Sequence, residues 1–259
     1  MKRTLLSMYL ILNVKTLLLT IAAIVLTYLC IKFEFTADLP FALIGIAVVF
    51  PIVFSIGGAY TRREAALKDY ANIKAHSRAI FFASRDWIDP ANVEAQENCK
   101  LCLKELLISI KDFLSTKHND LALREQREQI VYDKFSDLSA FIKSLRKSGL
   151  PSGEASRANQ YLSKMMDAFE SQKHVYQYRT PVTLRAYSKF FTFVTPVIYS
   201  PYFGHIGKDM NIVLAMISPL LFSIILAGLD NIQDHLENPF DQVGEDDVKI
   251  NPEKIIANL

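Results

Sequence analysis

Apolar positions gather into long runs toward the two ends of the chain, and polar positions dominate between them. Leu39–Thr61 is 23 residues without a charge, and Met210–Leu229 is 20. A helix crossing the hydrocarbon core needs about 20 apolar residues, so both runs predict spanning helices. Thr16–Ile31 adds 16 uncharged positions, which extend back toward Leu10 if Lys15 reaches the interface along its methylene stem. Phe190–Gly207 is a fourth candidate of 18 residues, interrupted by Pro196, Pro201 and His205. Backbone broken in this way survives at membrane depth only when enclosed by protein or lining a wet cavity. The pattern divides the chain into a membrane part at 1–61, a helical aqueous part at 62–185, a second membrane part at 186–229 and a tail at 230–259.

The middle part reads as helices. Leu103, Leu106, Leu107, Ile110, Phe113 and Leu114 recur at helical spacing, as do Ile130, Val131, Phe135, Leu138, Phe141, Ile142 and Leu145. Asp89-Pro90 and the 148–153 stretch punctuate them. No Gly or Pro falls between Ala59 and Asp89, so the second spanning helix is predicted to continue out of the bilayer unbroken. No alternating strand pattern competes. The class is all-α.

Charge sharpens this picture. Of the 120 residues from Tyr60 to Arg179, 20 are Lys or Arg and 16 are Asp or Glu, whereas the flanking runs are almost uncharged. Lys2 and Arg3 precede the first span, and Arg62, Arg63, Lys68 and Lys74 follow the second. The positive-inside rule then places both termini and the middle part in the cytoplasm of a multi-pass protein of the cell membrane. The first span reads as a membrane helix rather than a cleavable leader, since a second span follows at once. A net charge of +2 and no basic block leave nucleic acid without support as a partner.

Little here resembles catalytic chemistry. No glycine-rich phosphate loop, HExxH or nucleophile elbow occurs, and the five histidines never fall at ligand spacing with one another. The chain is read as no enzyme. Cys99 and Cys102 form a lone CxxC, read as two small residues on one helix face rather than half a zinc site.

Two patterns remain. Ile46, Phe50 and Phe54 stand four apart, forming one stripe on the second span about 12 Å tall. In one copy that stripe is a packing face. In a ring of copies it becomes three stacked apolar rings able to gate water and ions by dewetting. Phenyl edges carry partial positive charge, which favours anions. The second pattern is the tail, with eight acidic residues and two lysines from Asp230 to Leu259. Its centre runs Glu237-Asn238-Pro239-Phe240, then Asp241, Gly244, Glu245, Asp246 and Asp247. Such a cluster either binds a hard cation through oxygens or is a solvated acidic tail.

These stretches resemble the bestrophin family and its bacterial members. Ile46, Phe50 and Phe54 match its Ile-x3-Phe-x3-Phe pattern, with Thr61-Arg62 in register. Asn238-Pro239-Phe240 and the acidic run resemble the family's Asn-Pro-Phe-Gly segment, and Leu39-Pro40-Phe41-Ala42-Leu43-Ile44-Gly45 is similar to the start of the second span in bacterial members. The resemblance follows the order of elements through the whole chain, but only these short stretches are specific. It implies a homopentamer around one pore that conducts ions passively, chloride among the permeant anions, with a neck at Ile46, Phe50 and Phe54. It also implies a second constriction at the cytosolic exit, at Thr180 before Pro181. Calcium, bound in animal members by the acidic run, would fall at Asn238, Asp246 and Asp247. Here the chain departs from the family, because Asp241, Gln242 and Val243 separate Phe240 from Gly244, and Val248-Lys249 shorten the run. Arg63-Glu64 also replaces the aromatic pair that usually follows Thr-Arg. The rival reading is a non-conducting membrane scaffold whose cytosolic helices dock a partner.

Overall fold

In a computed structural model, residues 12–38, 41–117, 120–241 and 247–259 are described, and all regular structure among them is helical. In chain order these are α1 (Val14–Lys32), α2 (Phe41–Asp86), α3 (Val93–Leu114), α4 (Leu121–Leu145) and α5 (Ser152–Gln177). They are followed by α6 (Val182–Ile198), α7 (Ser200–Gly207), α8 (Ile212–Ala215), α9 (Ile217–Glu237) and α10 (Pro252–Ala257). The chain divides into two compact units. One comprises Met1–Thr61 with Arg179–Glu237, the other Arg62–Tyr178 with Asn238–Leu259.

The predicted continuity after the second span holds. α2 is one helix of 46 residues, about 69 Å long at 1.5 Å per residue and more than twice the hydrocarbon thickness. Pro51 sits inside it. Among the described residues three helices are long and apolar enough to cross a membrane: Val14–Lys32, Ile44–Asp86 and Ile212–Glu237.

The interruption expected within the fourth candidate, Phe190–Gly207, is present. Its residues form α6 and α7, joined at Tyr199. Pro196 lies in the last turn of α6 and Pro201 starts α7, where a missing N–H costs nothing. At the other end, Asp230–Glu237, expected as the start of a tail, are the last two turns of α9.

In the first unit, α1 packs on α9 through polar contacts rather than through aliphatic bulk alone. Asn13 caps α1 and donates to Asn231 Oδ1 at 2.9 Å, and Asn231 donates to Thr16 Oγ1 at 3.0 Å. A turn further on, the Ser223 hydroxyl donates to Thr20 Oγ1 at 3.2 Å. Between apolar helices in lipid, such bonds supply what burial of grease cannot. α7 approaches α8 closely at Gly207, where a Cβ would lie 2.6 Å from that of Ala215.

The second unit is a conventional water-facing core. Leu103, Leu106, Leu107, Ile110 and Phe113 of α3 meet Val131, Phe135, Leu138 and Ile142 of α4, together with Met165 and Phe169 of α5. The stripe predicted on α3 is buried throughout, and that on α4 is buried except for the exposed Ile130 and the half-buried Phe141. Phe240, Val248, Ile250 and Ile255 join the same core, so the segment after α9 is strapped into this unit.

Candidate pore-lining stripe

α2 presents two unlike faces within the membrane unit. Val48 and Ile52 are buried against Leu226 of α9, with Phe191, Phe222 and Leu229 packed around them. Ile46, Phe50 and Phe54 point away from that packing and are 63%, 61% and 62% exposed. None of the three is buried within this chain. Phe50 and Phe54 touch edge to face, with ring centroids 4.6 Å apart and an interplanar angle of 75°.

Exposure of apolar side chains is shared by α1, whose Leu17, Leu18 and Ile21 also face outward. The α2 stripe differs in how it continues. At 100° per residue, Gly57, Thr61, Glu64 and Lys68 fall within about 60° of Ile46 around the helix, and all four are exposed. Nothing lies within 4 Å of a Cβ built on Gly57. Along the helix the stripe turns from aromatic to small and polar.

Thr180 is buried, only 4% exposed. Its amide donates to Glu237 Oε1 at 2.9 Å and its hydroxyl to Glu237 Oε2 at 2.8 Å. The Arg185 guanidinium stands 3.9 Å from the same carboxylate. The start of α6 is thereby tied to the last residue of α9, a link that no local pattern announces.

Of the candidate calcium residues, Asn238 accepts the Phe240 amide at 3.4 Å, an Asx-type turn, and Asp247 is 8% exposed. Asp246 lies outside the described residues, as do Gly244 and Glu245. The Val248 amide donates to the Pro239 carbonyl at 2.8 Å. Among the described residues no three His, Cys, Asp or Glu side chains gather as metal ligands.

Elsewhere the densest charged cluster joins α4 and α5. Lys173 contacts Glu128 at 3.1 Å and Glu170 at 2.6 Å, and it donates to the Tyr132 hydroxyl at 2.6 Å. Burial pushes the Lys173 ammonium down, but its bonds to Glu170, Tyr132 and Glu128 outweigh this and hold it above its usual range. Burial likewise raises Glu170, yet the bonds from Lys173 and Tyr132 leave it below the ordinary carboxylate value. The cluster reads as a clamp between helices. Burial pushes the Cys99 thiol up to about 12, so it is a packed side chain rather than a ligand or nucleophile.

The fold is that of an all-helical membrane protein. More narrowly, it is the fold of bacterial bestrophin homologs. A variant of the bestrophin homolog from Klebsiella pneumoniae superposes with a TM-score of 0.80 at 17% identity, covering 94% of this chain and 95% of that one. A second variant gives 0.77 at 16% identity, covering 94% and 97%. A further solved membrane protein gives 0.78 at 17% identity, covering 93% and 96%. No family model matches the sequence, and no curated protein matches it either.

Proposed function

We propose that this chain is a bestrophin-type subunit of a passive ion channel, a homopentamer with Ile46, Phe50 and Phe54 as an apolar neck. The observation that carries the reading is the outward stripe on α2, exposed in the subunit although it holds two of the span's largest side chains. In a ring of copies such a stripe meets its own symmetry mates, and the fold shared with bacterial bestrophin homologs supplies the precedent for reading it so.

Anions such as chloride are the proposed permeant species. The positive edges of the exposed Phe50 and Phe54 rings support this choice. Both termini and the second unit lie on the cytoplasmic side in this reading. Thr180 becomes an aperture residue only in a conformation in which its two bonds to Glu237 have opened.

Purified protein in liposomes tests the proposal. Chloride flux that changes with Phe50→Ala supports it, and the absence of flux in every salt removes it. Native mass spectrometry gives an independent arm: five copies fit a pore, whereas one or two fit the scaffold reading.

A further inference from the structure

A second site lies in the membrane unit, away from the stripe. Asp230 follows directly on the apolar run of α9 and is 3% exposed, yet its carboxylate oxygen Oδ1 has no hydrogen-bond partner. An ionisable side chain enclosed at membrane depth is costly and marks a ligand or ion site more often than packing. Buried polar atoms without partners are also rare in native proteins.

Three further orphan atoms belong to residues of α2, α6 and α9. Ser188 of α6 donates to Gln233 of α9 at 3.0 Å, Lys189 bonds Asp234 at 3.1 Å, and Arg185 stands beside Glu237 at 3.9 Å. These three pairs fix an antiparallel register in which the α6 position facing Asp230 is Thr192. Thr192 is fully buried, and its hydroxyl has no partner. Ser55 of α2 follows one turn after Ile52, which shares a cluster with Phe191 and Leu229, the chain neighbours of Thr192 and Asp230. Its hydroxyl is also buried and unpartnered, as is the Gln233 amide nitrogen.

A hydroxyl facing a carboxylate would ordinarily donate to it. None of these buried oxygens bonds another. Oxygens sharing a small hard cation at about 2.4 Å each stand roughly 3.4–4.8 Å apart, beyond hydrogen-bond reach. The charged side chains near enough to act on Asp230 are Lys15, Lys189 and Asp234. Of these, Lys189 and Asp234 are engaged with each other at 3.0 Å, and Lys15 is exposed.

We propose that Asp230 and Thr192, with Ser55, hold a monovalent alkali cation between α2, α6 and α9. One carboxylate with neutral hydroxyls matches a single positive charge, and all-oxygen ligands suit an alkali ion rather than a transition metal. The free Gln233 N–H groups hold a water that completes the shell. The site needs only one subunit and stands apart from the channel reading.

The test is thermal unfolding of the purified full chain in sodium, potassium and N-methylglucamine chlorides at equal ionic strength. Sodium or potassium should raise the Tm by about 5 °C or more at a hundredfold excess over Kd. Asp230→Asn should abolish the difference, and Thr192→Val should weaken the apparent affinity about tenfold while keeping volume. Should Asp230→Asn fail to fold, Thr192→Val carries the comparison. Equal Tm in all three salts, or a cation shift unchanged in the variants, overturns the site.

Discussion

Thr180 and Glu237 are joined by two hydrogen bonds to one carboxylate, from the amide at 2.9 Å and from the hydroxyl at 2.8 Å. Both residues are buried, so the carboxylate depends on these donors and on the nearby Arg185 for what water would otherwise supply. Bonds to a charged acceptor contribute about 1.5–3 kcal/mol each. Glu237→Ala is therefore expected to destabilise the membrane unit by about 3 kcal/mol, and Thr180→Val by about half that. Thermal unfolding in detergent measures both, and the double variant should lose less than the two together because the partners are shared. Wild-type stability in Glu237→Ala would mean that the link carries nothing.

The two faces of α2 separate the proposed conduction from folding. Phe50 is exposed in the subunit, so Phe50→Ala should leave the helix packing intact while altering chloride conductance on the order of twofold or more. Ile52 is fully buried, and Ile52→Ala should cost on the order of 2–4 kcal/mol whatever it does to current. Single-channel recording paired with melting curves distinguishes them. A conductance unchanged by Phe50→Ala would sink the neck.

Cys99 and Cys102 lie one turn apart on α3 but should react differently. Cys99 is enclosed, with its thiol pushed up to about 12, whereas Cys102 is half-buried. At pH 8 a maleimide should label Cys102 well before Cys99, which becomes reactive only on unfolding. Mass spectrometry of the labelled protein reads this directly.

The clamp between α4 and α5 gives an acid dependence. Glu170 is held below its ordinary value, so it binds its proton less readily in the folded chain than in the unfolded one. Its stabilisation is complete above the unfolded carboxylate pKa and fades as pH falls through the folded one. Melting temperature should drop with acid in that window, and Glu170→Gln should make the decline shallower. An equally steep decline in the variant would remove Glu170 as its source.

Calcium is decided by flux. If Asn238, Asp246 and Asp247 gate the proposed channel, a chelator should abolish current and calcium restore it. Current unaffected by chelation would leave the acidic run as a solvated loop.

Much of the fold was legible in the chain itself. The helical periodicity of Leu103–Leu114 and Ile130–Leu145 named core faces that are buried except at Ile130 and, in part, Phe141, because an amphipathic helix in water has only one way to turn. The uninterrupted stretch from Ala59 to Asp89 announced the long reach of α2, since nothing in it breaks a backbone ladder. The outward stripe could be counted from residues alone, but not its direction. Within lipid both faces of a helix are apolar, so only the packing of Val48 and Ile52 on Leu226 decides which one turns out. Pro196 and Pro201 signalled an interruption, yet whether they kink one span or divide two helices depends on neighbours that the sequence does not show. The pairing of Thr180 with Glu237 and the facing of Thr192 to Asp230 join positions 57 and 38 residues apart. Contacts at that separation follow from register between helices, which only tertiary packing sets.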